Sequence, residues 1–123
     1  MDNRPHILLV DDDPAVLELT GELLDVAGYR VTAENTALHA LERIAAGERF
    51  AAVVTDHSMP GMSGEELALR LRLLAPQTPC LLVTGHGETV NVAYGIRVMT
   101  KPFRAAQLAA VLRELLAPPR APA

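Results

Sequence analysis

The sequence predicts an α/β fold: one doubly wound, five-stranded parallel sheet with helices on both faces. Three observations predict it. Five short apolar runs, at Ile7–Val10, Tyr29–Ala33, Ala51–Thr55, Cys80–Val83 and Ile96–Met99, are bounded by turn residues and read as buried strands. Segments of helical periodicity lie between most of them. Strand alternating with helix is the pattern of βαβ units, whose helices cover both faces of a parallel sheet. At 123 residues the chain has room for one such core and no second.

Each element has its own local signal. After the first run, Asp13 is an N-cap and Pro14 an N1 proline, and Val16, Leu17, Leu23, Leu24 and Ala27 continue the helical spacing until Gly28 stops it. A second helix carries Leu38, Leu41, Ile44 and Ala45 and ends at Gly47. A third opens with Ser63 and Glu66 at capping-box spacing and runs through Leu67, Leu71 and Leu74 to Pro76. The last carries Leu108, Val111, Leu112 and Leu115 and ends before Pro118-Pro119. Between the fourth and fifth runs, Thr84 to Gly95 is only 12 residues, near the minimum for a parallel crossover. A short fourth helix, two turns at most within 88–94, is expected there. The domain is expected to occupy residues 1–117, and the proline-rich 118–123 to form a flexible tail.

Composition narrows the function classes. The apolar fraction is 50% and the charged fraction 21%, enough for a core and against disorder. A net charge of −4 argues against direct nucleic-acid binding. The single cysteine, Cys80, excludes an internal disulfide and a zinc ribbon. Neither a signal peptide nor a membrane span is present, so a cytoplasmic domain with no membrane contact is expected.

In an open α/β sheet, ligands bind at the carboxyl ends of the strands. The first strand ends in Asp11-Asp12-Asp13, the third in Thr55-Asp56, the fourth in Thr84-Gly85 and the fifth in Thr100-Lys101-Pro102. Carboxylates about 4 Å apart repel by roughly 4 kcal/mol per pair at an effective dielectric of about 20. Lys101 compensates one charge. A hard divalent cation compensates two, and Mg2+ takes a few carboxylate oxygens plus water and phosphate oxygens. A Mg2+ site with an open face is therefore expected, where one carboxylate can attack a phosphoryl group while Lys101, the Thr84 hydroxyl and backbone N–H groups neutralise its oxygens. Spacing alone does not choose the nucleophile. Asp56 stands singly before the loop His57-Ser58-Met59-Pro60-Gly61, which makes it the better acceptor and leaves Asp11 and Asp12 as the metal pair.

The motifs ILLVDDDP, VVTDHSMPGMSG, LLVTG and TKPF, in this order over residues 7–103, resemble those of response-regulator receiver domains of two-component phosphorelay signalling. The resemblance implies the sheet order 2-1-3-4-5. It implies that Asp56 is the phosphoacceptor, and that Asp12 ligates Mg2+ directly while Asp11 acts through water. The backbone carbonyl of Ser58 would be a third protein ligand beside Asp56. Thr84 would be the switch hydroxyl, Lys101 the ammonium that pairs with the phosphoryl group, and the peptide before Pro102 cis. The implied partner is a histidine kinase or phosphotransfer protein, and no reaction beyond the domain's own phosphorylation and dephosphorylation is implied. Two features depart from the family pattern: Val98 stands where an aromatic is usual, and the stretch from Thr84 to Lys101 is short. Together with TDHSMPGMSG, that short stretch is similar to receivers of hybrid sensor kinases.

Blander roles fit the remaining residues. Asp13 caps a helix, His6 and His39 are surface residues, Cys80 is core, and Met59 and Met62 pack beneath the loop. His57 and His86 are neighbours that shape access of water, a property the resemblance also attaches to Ser58. Two other functions compete: a receiver-like scaffold that is never phosphorylated, and a Mg2+-dependent hydrolase working through an aspartyl-phosphate. The chain is too short for the substrate cap such a hydrolase needs.

Overall fold

A computed structural model describes residues 3–85 and 96–117. The elements run β1 (His6–Val10), α1 (Pro14–Val26), β2 (Arg30–Glu34), α2 (Ala37–Ala45), β3 (Ala52–Asp56), α3 (Gly64–Leu74), β4 (Cys80–Thr84), β5 (Ile96–Thr100) and α4 (Ala105–Leu116). The five strands form one sheet in the order β2-β1-β3-β4-β5, with every pairing parallel. The expected fold class and strand order are both observed. The short helix expected within 88–94 and the tail 118–123 lie outside the described residues.

Local chemistry starts and stops the helices, at Asp13, Ser63, Gly28 and Gly47 where the sequence signals it and at Thr36 where it does not. The Asp13 side chain accepts from Ala15 N at 3.0 Å, Thr36 from His39 N at 3.1 Å and Ser63 from Glu66 N at 3.1 Å. Gly28 and Gly47 follow α1 and α2 with φ of 103° and 97°, a conformation that costs glycine little. At α4 the Gln107 side chain reaches back to accept from Arg104 N at 2.7 Å, a start that no sequence signal had marked.

Strand alternation divides the core between the two faces of the sheet. Leu8, Val10 and Val53 face α2 and α3, where Ala40, Ile44, Leu67 and Leu71 complete one cluster. Ile7, Leu9, Val54, Leu81 and Val83 face α1 and α4 and pack with Leu24, Leu108 and Leu112. Complete burial of each such leucine contributes about 1.5–3 kcal/mol. β3 and β4 are buried along their whole length, whereas the edge strands β2 and β5 are only partly covered. Strands β3 and β4 each extend one residue past the apolar run, because the parallel ladder continues through Asp56↔Val83 and Thr84↔Thr100. That extra pairing carries two of the expected site residues on rigid backbone.

One expectation fails. His6 is not a surface residue: it is half-buried, with Nε2 2.6 Å from Thr32 Oγ1 and its ring tilted against Phe50 at 4.7 Å between centroids. It is the first residue of a central strand, so its neighbours on both sides cover it. His39 is exposed, Cys80 is buried, and Met59 and Met62 pack against the α2–α3 cluster, each as expected. Among the described residues, no helix is long and apolar enough to cross a membrane.

Candidate functional site

The carboxyl ends of β1, β3, β4 and β5 meet at one rim of the sheet. β1 delivers Asp11, buried at 6% exposure, whose backbone N–H donates to Glu34 O at 3.2 Å. Its Oδ1 accepts from Asp13 N at 3.0 Å, so the turn that caps α1 also orients this carboxylate. Asp12 points outward and is exposed. β3 delivers Asp56, 8% exposed, and its successor is fixed by His57 N donating to Val83 O at 2.8 Å. Carboxylate oxygens of Asp11, Asp12 and Asp56 lie within 4.8 Å of one another.

Lys101 comes from the opposite direction, past the end of β5. Its backbone N–H donates to Thr84 O at 2.7 Å and its Nζ lies 2.9 Å from Asp56 Oδ1. The Lys101–Pro102 peptide is cis. Thr84, 4% exposed, ends the strand next to Asp56 and is held by that same backbone contact to Lys101. Ser58 lies in the exposed loop two residues beyond Asp56. His57 sets its Nε2 3.5 Å from Glu65 Oε2 at the start of α3. His86 lies outside the described residues.

The electrostatics follow from crowding and burial. The Asp11 carboxyl is pushed above its ordinary range mainly by burial; the Asp13 N–H opposes this, Asp56 and Asp12 add to it, and Lys101 opposes it. Three hard oxygen donors from two separate segments, with one facing solvent, match the chemistry of a hard divalent cation. A small cavity of about 20 Å³ is lined by Asp11, Asp56 and Lys101 on one side and by apolar residues such as Leu9, Val54 and Phe103 on the other.

Sequence reasoning had missed three neighbours. Glu65 pairs with His57, and only an acidic residue in the first turn of α3 hinted at it. Thr55 Oγ1 donates to Asp56 O at 3.0 Å. Gly64 packs so closely on the same carbonyl that a Cβ there would lie 1.9 Å from it. Both belong to the quoted motif TDHSMPGMSG, yet only the fold shows that they converge.

Comparison with known proteins gives a consistent picture. A crystal structure of a response regulator receiver protein from Sinorhizobium medicae superposes with a TM-score of 0.86 at 30% identity, covering 93% of this chain and 95% of that one. Transcriptional regulatory protein FixJ of Bradyrhizobium diazoefficiens is 32% identical over 121 residues, which is 94% of this chain and 58% of FixJ. Protein PetR of Rhodobacter capsulatus is 38% identical over 109 residues, 85% of this chain and 45% of PetR. The chain thus spans about half the length of these curated relatives. The model of the family described as response regulator receiver domain matches residues 7–113. Nearly the whole chain carries that match on the fold it requires, and the protein belongs to the response regulator receiver domain family.

Proposed function

We propose that this receiver domain accepts a phosphoryl group on Asp56 from a phosphohistidine of a histidine kinase or phosphotransfer protein, and changes conformation in response. The observation that carries this reading is the convergence of Asp56 with Asp11, Asp12 and the Lys101 ammonium at one rim. An Asp56 carboxylate oxygen forms the new bond to phosphorus as the nitrogen–phosphorus bond of the donor breaks, and the imidazole leaves with its electron pair. The Lys101 Nζ, already 2.9 Å from Asp56 Oδ1, pairs with the incoming oxygens. The Thr84 hydroxyl, at the neighbouring strand end, supplies a hydrogen bond to the phosphoryl group and so links its presence to β4. Asp11, Asp12, Asp56 and the backbone carbonyl of Ser58 would hold Mg2+, which neutralises phosphoryl charge when bound. Water later cleaves the acyl phosphate and restores Asp56, so the domain acts on itself and is not an enzyme for an external substrate. Its acidic charge fits a cytoplasmic protein partner rather than nucleic acid or membrane.

The test is incubation with Mg2+ and a small acyl-phosphate donor, followed by intact-mass measurement. A labile, stoichiometric adduct that Asp56→Ala abolishes is expected. Residual labelling of the variant on Asp11 or Asp12 overturns the assignment. A folded, Mg2+-binding protein that takes no label points to the scaffold reading, and repeated turnover of the donor without a partner to the hydrolase.

A further inference from the structure

We propose that Thr55 and Gly64 are positioning residues that clamp the backbone carbonyl of Asp56 and thereby aim its carboxylate and the loop that follows. The inference rests on the reading of Asp56 as phosphoacceptor and adds to it a device that neither residue's type announces.

Thr55 lies at the centre of the sheet with no exposed surface, paired to Val10 on one side and Leu82 on the other. Both cross-strand partners are apolar, and valine would fill the same volume. A buried hydroxyl without a partner is destabilising, so its presence calls for a bond. That bond goes to Asp56 O, at 3.0 Å. Strand alternation turns the Thr55 side chain to the α2–α3 face, away from the acidic rim, so the hydroxyl never meets the phosphoryl group. It acts through the Asp56 peptide alone.

Gly64 meets the same oxygen. It is the first residue of α3 and is buried, and its N–H donates to His57 O at 2.9 Å. A Cβ at this position would lie 1.9 Å from Asp56 O, 2.8 Å from Asp56 C and 2.9 Å from Leu82 Cδ1. The first two contacts are backbone and have no flexible end to yield. Only glycine lets the start of α3 seat against the end of β3. The segment 57–63 is thus pinned at both ends, with Ser58 inside it. A displaced Asp56–His57 peptide would shift the end of β3 and change where the Asp56 carboxylate sits relative to the Ser58 carbonyl, and errors of about 1 Å in such placements cost on the order of a hundredfold in rate.

The experiment compares wild type with Thr55→Val, Thr55→Ser and Gly64→Ala. It reads the maximal labelling rate at saturating donor and Mg2+, the donor concentration for half that rate, Mg2+ affinity by calorimetry, and the urea midpoint. Thr55→Val should keep its urea midpoint and half-saturating donor concentration, lose about tenfold in maximal rate, and bind Mg2+ about threefold more weakly. Thr55→Ser, which keeps the hydroxyl, should recover both to within about twofold. Gly64→Ala should lose about a hundredfold in rate. Wild-type rate and Mg2+ affinity in Thr55→Val, or a Thr55→Ser variant as slow as Thr55→Val, would overturn the clamp. Should wild type take no label at all, the phosphoacceptor reading fails, and the Mg2+ affinities of Thr55→Val and Thr55→Ser still decide whether the hydroxyl orders the site.

Discussion

The two ends of the sheet are built on opposite principles. At the amino end, polar groups are paired off. His6 meets Thr32 at 2.6 Å and leans on Phe50, Ala51 N donates to His6 O at 2.7 Å, and Val53 N donates to Pro79 O at 3.0 Å. At the carboxyl end, like charges are gathered. Two nearly buried carboxylates and an exposed one sit within 4.8 Å, against the Lys101 ammonium. The same strands run through both ends, so propensity does not explain the contrast. One end pairs its polar groups within the fold, and the other gathers charges that the proposed Mg2+ and phosphoryl group would neutralise.

That contrast can be broken from either side. The largest expected effect is at the carboxyl end. Asp12→Asn should weaken Mg2+ binding by about a hundredfold by calorimetry while leaving the urea midpoint unchanged or raised, because the lost carboxylate is exposed and repelled by its neighbours. Normal Mg2+ affinity in this variant would remove Asp12 from the site. At the amino end the expectation is reversed. Phe50→Ala leaves a cavity in the α2–α3 cluster and removes the ring under His6, for a loss of about 3 kcal/mol in urea unfolding, with labelling of the folded fraction at the wild-type rate. A labelling defect would show that the two ends are coupled.

A smaller effect, of opposite sign, tests the cost of gathering charge. Folding raises the Asp11 carboxyl above its ordinary 3.8, mainly through burial. A raised value contributes stability that is complete below the ordinary pKa and is lost as pH rises through the folded one. Asparagine does not ionise and escapes that loss, while still accepting from Asp13 N. Asp11→Asn should therefore be more stable than wild type by about 1 kcal/mol at pH 7 without Mg2+. The gain should shrink once the pH falls below the folded value for Asp11. A destabilised variant at pH 7 would mean that the Lys101 attraction outweighs burial. The smallest expected change is none. Burial pushes the Cys80 thiol up to about 12, so iodoacetamide at pH 8 should leave it unmodified until the protein unfolds. Alkylation of the native state would show that the start of β4 opens.

Much of this was readable in advance, for local reasons. The apolar runs, the caps at Asp13 and Ser63, and the stops at Gly28 and Gly47 are short-range signals, and each sits where the chain needs it. Residues at the strand ends were singled out by type and position, and the fold brings Asp11, Asp12, Asp56 and Lys101 together. Other features were invisible. Thr36 was not singled out as a cap, because His39 three residues on is no capping-box partner. His6 reads as surface because its cover comes from elsewhere in the chain, Thr32 on β2 and Phe50 just before β3. Glu65 gave no sign of reaching His57.

Periodicity and turn chemistry act over a few residues, so the chain alone decides where elements begin, which faces are apolar and which strand tips are charged. The order of the strands did not follow from those patterns and was implied only by family likeness. Which tips become neighbours depends on crossovers that pack helices against one face or the other, a long-range matter. Only that packing sets Lys101 2.9 Å from Asp56 and seats Gly64 on its carbonyl, because distances between residues far apart in sequence are written in the assembled core and nowhere along the chain.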